Sequence, residues 1–380
     1  MSVSRRHFVS ALGLGGAGLL SPPLLAGRGS EDRLASWLRA PLPAAPAGMI
    51  RLDSNENPNG PGARAFEAIR AMFGEANRYP DSPEDALVAA IAREHGVSED
   101  NVILGCGSSE ILRMCVEAYT SSAQHLVTAA PTFELPATFA HTMGRPVVSV
   151  PVDAKLGLDL AAMADKAGGS GLVFFCNPNN PTATVHGAAA VRDFVARVRR
   201  ASPATVILVD EAYHEYVDDP SYATAIPMVM SDPNIIVSRT FSKVYGMAGL
   251  RAGYAIAHRD TARRLQPWRI GSGISVLALA AAAATIVDRE HMVLEQKRNR
   301  EAKAFTRAWF EKAGYPVGAS DTNFLMIDIR RDMRPVRDAC RKEGIAVGRP
   351  FPPLLTHLRI SIGTMEEMKK ATDVLKRALA

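Results

Sequence analysis

The chain has 380 residues, enough to bury a large core and to make two domains. Hydrophobic residues make up 47% and charged residues 22%, a globular balance that excludes a disordered chain. The net charge of +5 comes from Arg scattered along the sequence, without basic runs interleaved with aromatics, which excludes a nucleic-acid footprint.

The first thirty residues differ in kind. Ser4-Arg5-Arg6-His7-Phe8-Val9 is a twin-arginine pattern, and an uncharged Gly/Ala/Leu-rich stretch runs from Phe8 to Gly27. This resembles a twin-arginine (Tat) export signal over 1–30 and predicts a periplasmic location. A retained anchor or a disordered tail are the other readings of the segment, and a cytoplasmic location is the alternative. Its glycines leave it too weakly hydrophobic for a spanning helix. Val276 to Val287 is apolar but short, and reads as a buried helix. No stable membrane span is expected.

A Pro/Ala-rich linker, Pro41 to Pro46, leads into the polar, turn-rich run Arg51-Leu52-Asp53-Ser54-Asn55-Glu56-Asn57-Pro58. Arg78-Tyr79-Pro80 reads as a turn. Leu87, Ala90 and Ile91 mark a helix over Asp85 to His95. Val102-Ile103-Leu104 reads as a strand. It runs into Gly105-Cys106-Gly107-Ser108-Ser109-Glu110 and a helix. A Gly loop between strand and helix exposes N–H groups at a helix N-terminus, a ready anion site. Glu110 stands where a dinucleotide fingerprint needs its third Gly.

Leu126-Val127-Thr128 is a further strand, followed by Pro131-Thr132-Phe133. Leu172-Val173-Phe174-Phe175-Cys176 is a buried strand ending in Asn177-Pro178-Asn179-Asn180-Pro181-Thr182. Val191, Phe194, Val195 and Val198 mark a helix. Val206-Ile207-Leu208-Val209 then leads to Asp210-Glu211-Ala212-Tyr213. A carboxylate at the end of an apolar strand is costly unless paired. Asp210 reads either as the partner of a cation or as a helix N-cap.

The apolar run Ile235-Ile236-Val237 leads into Ser238-Arg239-Thr240-Phe241-Ser242-Lys243-Val244-Tyr245-Gly246, and a second strand, Tyr254 to Ala257, follows. Lys243 therefore lies on a loop just past a strand end, where open α/β sheets bind ligands. The chain has ten Lys among 44 basic residues, and none before Lys155. Lysine at this spot supplies an amine that can lose its proton, which Arg cannot. Ser242 and Arg251 bracket it with a hydroxyl and a fixed cation, which suit a phosphate.

Alternating strands and helices predict an α/β protein with a mainly parallel sheet between helices. The last third reads as a small α+β domain. It has a charged helix from Glu290 to Lys312, strands at Phe324–Asp328 and Leu358–Ile362, and a final helix opened by a Thr364/Glu367 capping box. The expected division is a signal over 1–30, an arm and linker over 31–60, a large domain over 61–275 and a small domain over 276–380. The four cysteines lack CxxC spacing, the nine histidines lack ligand spacing, and no metal site is expected.

From Leu52 onward these motifs, in this order, resemble the class I/II aminotransferases of fold type I, and among them the histidinol-phosphate aminotransferase branch. The resemblance implies pyridoxal 5'-phosphate bound as a Schiff base to Lys243. It implies a ring nitrogen paired with Asp210, and a phenolic oxygen met by Asn180 and Tyr213. Phe133 would stack on the ring. Ser108, Ser109, Ser242 and Arg251 would hold the phosphate, together with Tyr79 from the partner subunit of a homodimer. Arg359, in Leu358-Arg359-Ile360-Ser361, would bind the anionic group of the substrate, with Asn55 of the arm and Asn180 beside it. The implied reaction moves an amino group between an amino acid, or histidinol phosphate, and a 2-oxo acid such as 2-oxoglutarate. Decarboxylation or oxidation on the same fold, and a non-catalytic binding protein, are the alternatives.

Two departures bear on this. Ala183 replaces a Gly of the family pattern. In Gly344-Ile345-Ala346-Val347-Gly348-Arg349, Gly348 takes the place of a second, phosphate-binding arginine, with Arg349 one residue later. This shift predicts a preference for a free α-amino acid over histidinol phosphate.

Overall fold

The computed structural model describes residues 48–380. The expected export signal over 1–30 and the Pro/Ala linker lie outside the described residues. The described chain opens on a short strand, β1 (Ile50–Leu52). Seven strands then build one sheet: β2 (Val102–Gly105), β3 (His125–Ala130), β4 (Val147–Pro151), β5 (Ser170–Cys176), β6 (Val206–Asp210), β7 (Ile235–Thr240) and β8 (Gly253–Ala257). Their order is β2-β8-β7-β6-β5-β3-β4. Strands β3 to β7 pair in parallel, and β8 runs antiparallel to both β2 and β7. The sheet is therefore mainly parallel, as the alternation of elements implies.

Both faces of the sheet are covered, which explains why its strands read as unbroken apolar runs. Val173 and Phe175 of β5 join Ile207 and Val209 of β6 on one face. Leu172, Phe174 and Cys176 join Leu208 and Ile236 on the other. Helices Asp81–His95, Ala188–Ala201 and Val276–Ile286 cover the first face. Helices Ser108–Tyr119 and Arg259–Leu265 cover the second. The register aligns Cys176, Asp210 and Ser238 across the C-terminal ends of β5, β6 and β7. That edge carries the site.

The rest of the chain forms a second core. Strand β9 (Phe324–Asp328) pairs antiparallel with β11 (His357–Ser361), and β10 (Ile345–Val347) pairs parallel with β1. Leu325, Ile327, Leu358 and Ile360 pack there against Phe310, Met368 and Leu375 of the surrounding helices. The final helix, Met365–Ala378, carries the expected capping box: Thr364 Oγ1 accepts from Glu367 N, and Glu367 Oε2 accepts from Thr364 N.

Two elements fall across the boundaries drawn from sequence. Helix Val276–Ile286 buries Ala278, Leu279, Ala281 and Ala282 in the core of the large sheet. Being apolar all round, it has no polar face that would mark an edge. The arm strand β1, in turn, joins β10 of the smaller part. Among the described residues no helix is long and apolar enough to cross a membrane.

Candidate active site

Lys243 stands on a tight loop immediately past β7. Phe241 N donates to Ala252 O at 3.1 Å, and Met247 N donates to Phe241 O at 3.0 Å, so the loop is pinned on both sides. Gly246 has φ 69, and a Cβ there would lie 2.1 Å from Gly60 O. Only glycine lets the loop pass beneath the arm. Lys243 Nζ donates to Asn55 O at 3.1 Å and stands 5.4 Å from the centroid of the Tyr213 ring. Burial, helped by the Arg359 charge, lowers its pKa to about 8, against the opposing pull of Glu56 and Asp210. A neutral amine is thus accessible close to neutral pH.

Asp210 ends β6 and is 2% exposed. Burial raises its pKa to about 7, with Lys243 pulling it back down. Its Oδ1 is buried and has no hydrogen-bond partner among the described residues. No α-helix starts after it, so it is not an N-cap. A carboxylate oxygen held without a donor is costly, and a cationic N–H supplied by a ligand relieves that cost. The adjacent Glu211 faces away. Its Oε2 accepts from Arg239 Nε at 2.9 Å and Nη2 at 2.7 Å, and its Oε1 from Ala225 N at 2.7 Å.

Across the cavity, helix Ser108–Tyr119 begins at Gly107, with φ 72. A Cβ on Gly107 would lie 2.4 Å from Arg251 Nη2, so the glycine admits the guanidinium to the helix start. Arg251 Nη1 donates to Ala248 O at 2.8 Å and to Ser242 Oγ at 3.4 Å, and Thr240 Oγ1 donates to Ser242 Oγ at 2.9 Å. Free N–H groups, hydroxyls and a guanidinium here make an anion cradle. Glu110 accepts from Cys106 N at 2.6 Å and Ile270 N at 2.8 Å. The residue that breaks the dinucleotide pattern thus fixes the loop in front of the helix.

The arm and β11 close the other side. Arg359 Nη1 donates to Asn180 Oδ1 at 2.7 Å and Nη2 to Asp53 O at 2.6 Å, while Nε has no partner among the described residues. Burial lowers the pKa of this guanidinium to about 10. Asn180 therefore has its amide oxygen committed and its NH2 group left as donor. Asn55 adopts φ 54; its Nδ2 donates to Tyr213 Oη at 3.0 Å and its N to Ser361 Oγ at 2.8 Å. Ser361 Oγ returns a bond to Asn55 Oδ1 at 3.0 Å, and Asn323 Nδ2 donates to Asn55 O at 3.0 Å.

One cavity of about 760 Å³ gathers Lys243, Asp210, Tyr213, Ser108, Ser109, Phe133, Asn180, Ser242, Arg251, Arg359 and Asn55. Tyr79 is not among its lining residues and is 84% exposed. Ala183 keeps the turn conformation of a glycine, with φ 63, so the substitution leaves the loop intact at the expense of some strain. Arg349, shifted by one residue, still lines the cavity. A Cβ on Gly348 would lie 2.8 Å from Arg359 O, so position 348 has no room for a side chain. Sequence reading missed Thr240, Asn323 and Ser361. Thr240 stands two residues from Ser242, and Ser361 two residues from Arg359 on the same face of β11.

The family model for aminotransferase class I and II matches residues 47–375. A histidinol-phosphate aminotransferase of Symbiobacterium thermophilum is 36% identical over 334 residues, covering 87% of this chain and 91% of that one. One from Moorella thermoacetica is 37% identical over 336 residues, covering 87% and 86%. The crystal structure of histidinol-phosphate aminotransferase from Sinorhizobium meliloti in complex with pyridoxal-5'-phosphate superposes with a TM-score of 0.83 at 26% identity, covering 90% of this chain and 95% of that one. An unpartnered buried carboxylate oxygen, a lysine amine and an anion cradle around one cavity fit the same cofactor. The chain belongs to the class I and II aminotransferases, and is a pyridoxal-phosphate-dependent transaminase of fold type I.

Proposed function

We propose that the enzyme transfers an amino group from a free α-amino acid to a 2-oxo acid such as 2-oxoglutarate, with Lys243 as the residue that binds the cofactor and moves the proton. Pyridoxal phosphate supplies, when bound, an electron sink for negative charge at the substrate α-carbon. Ser108, Ser109, Ser242 and Arg251 would hold its phosphate, and Asp210 Oδ1 would pair with its ring nitrogen. Phe133 would pack on the ring, and Tyr213 and Asn180 would meet its phenolic oxygen. Lys243 Nζ, with its pKa lowered to about 8, would take the α-proton as general base. Arg359 orients the substrate through its anionic group, with Asn55 closing the site above the amine.

The observation that carries this reading is the unpartnered Asp210 Oδ1 in one cavity with the Lys243 amine and the free Nε of Arg359. Arg359 alone suffices for a monoanionic carboxylate, and Arg349 is tied to Glu134. The relatives' names favour histidinol phosphate as the competing donor. A half-reaction screen decides between the two, following the cofactor absorbance with each amino acid and with histidinol phosphate. A free amino acid with the highest specificity constant supports the proposal; a clear margin for histidinol phosphate replaces it. Formation of CO2 or peroxide without dependence on a 2-oxo acid would instead favour decarboxylation or oxidation.

We further infer a homodimer in which Tyr79 of each subunit serves the other's phosphate cradle. Its 84% exposure, in a groove with Met72, Val276 and Ala280, supports this. Export by the twin-arginine route rests on Arg5-Arg6 and the uncharged run behind them.

A further inference from the structure

Glu134 Oε2 and Arg349 Nη2 stand 2.5 Å apart, joining the loop after β3 to the loop after β10 across the mouth of the cavity. Glu134 directly precedes helix Leu135–Thr142, yet its carboxylate caps no backbone N–H there. Its charge is spent on Arg349 instead. We propose that Glu134 is a specificity-determining residue: its carboxylate occupies the Arg349 guanidinium and must be displaced by the distal anion of any substrate that carries one. This rests on the reading that the cavity is the substrate site.

The spacing of the two arginines supports it. The Arg349 guanidinium lies 4.3 Å from the centroid of the Phe351 ring, and the Arg359 guanidinium lies 4.6 Å from the same ring. Phe351 is buried, and Gly348 is hard against Arg359, so the loop cannot slide along β11. Both guanidiniums therefore lie against one buried ring. A substrate with one anion on Arg359 and a second farther along its chain presents the second to Arg349. A monoanionic substrate leaves the Glu134–Arg349 pair alone. Arg341 lines the same mouth, beside an Arg337–Asp338 ion pair. The pair itself is weak enough to open: Arg349 is 52% exposed and Glu134 57%, and solvent screens such pairs.

The test compares kcat/KM for glutamate, O-phosphoserine and leucine in the cofactor-loaded wild type and in Glu134→Gln, Arg349→Gln and the double variant. Both residues are more than half exposed, and melting temperatures confirm that the variants fold. Glu134→Gln is expected to raise the ratio of a distal-anion donor to leucine about two- to fivefold, the range of an exposed ion pair. A rise with glutamate alone assigns a carboxylate as the distal anion, and a rise with O-phosphoserine alone assigns a phosphate. The rise must vanish in the double variant. An unchanged ratio in Glu134→Gln, or a rise that survives loss of Arg349, overturns the proposal. A wild type inert towards every amino donor overturns the transaminase site itself.

Discussion

The backbone carbonyl of Asn55 accepts a hydrogen bond from Lys243 Nζ at 3.1 Å, and Asn55 holds that carbonyl in place from the left-handed region, at φ 54. The same carbonyl accepts from Asn323 Nδ2, and the Asn55 side chain bridges Tyr213 and Ser361. One residue of the arm therefore ties the amine past β7 to β11 and to the residue before β9. Asn tolerates this backbone better than most residues, and Gly better still.

Asn55→Gly keeps the backbone and loses the two side-chain bridges. Asn55→Ala loses the bridges and keeps a Cβ in the left-handed region without the amide that favours Asn there. Denaturant unfolding is expected to place Asn55→Ala below Asn55→Gly by about 1 kcal/mol. Equal stability would mean that the left-handed backbone is not held in solution.

The titration of Asp210 and Lys243 gives a pH signature. Asp210 has its pKa raised from 3.8 to about 7, so the folded chain holds this proton more tightly than the unfolded chain does. Its contribution to stability is complete below the unfolded value and is lost as pH rises through the folded one. Lys243 is lowered from 10.5 to about 8, so its contribution grows as pH rises from the folded to the unfolded value. Cofactor-free protein should lose stability from acid to neutral pH, and Asp210→Asn should remove that loss and melt above the cofactor-free wild type at neutral pH. Its cofactor affinity should fall about tenfold or more, as for a lost bond between charged groups. A wild-type curve without the acid-side decline contradicts the burial of Asp210 as the cause.

Tyr79 is 84% exposed and absent from the cavity of its own chain. Mixing Tyr79→Phe subunits with Lys243→Ala subunits should restore activity through hybrid sites, because one of the two sites then keeps both groups. Loss of a bond to a phosphate predicts cofactor binding weaker by about 10- to 100-fold in Tyr79→Phe alone. No rescue in protein shown to exchange subunits would count against a shared site.

Much of this was legible in the sequence, for physical reasons that differ by element. Strands β5 to β7 are buried on both faces and stand out as apolar runs, and the residues at their C-terminal ends could be placed at the site from that alone. Helix Val276–Ile286 was legible as buried, but an all-apolar helix does not say which core it joins. Strands β1 and β10 have three residues each, too few to show a period. A linear count sets Arg349 one residue off the family pattern but does not reveal that Gly348 packs against Arg359 or that Arg349 still lines the cavity. The partner of Arg349, Glu134, lies 215 residues away and carries no motif.

The twin-arginine segment predicts export. Fractionation of cells carrying the wild type and Arg5→Lys/Arg6→Lys should find the wild type in the periplasm and the variant retained. Wild type confined to the cytoplasm would refute the reading and favour a biosynthetic role.

The central claim is that Lys243 Nζ binds the cofactor and moves the proton. Borohydride reduction of the loaded enzyme, followed by proteolysis and mass measurement, tests it most directly. A pyridoxyl adduct is expected on the peptide containing Lys243. In Lys243→Ala no adduct is expected there, and transamination should fall by about 10³-fold or more. An adduct on another of the ten lysines, or undiminished turnover in Lys243→Ala, would contradict it.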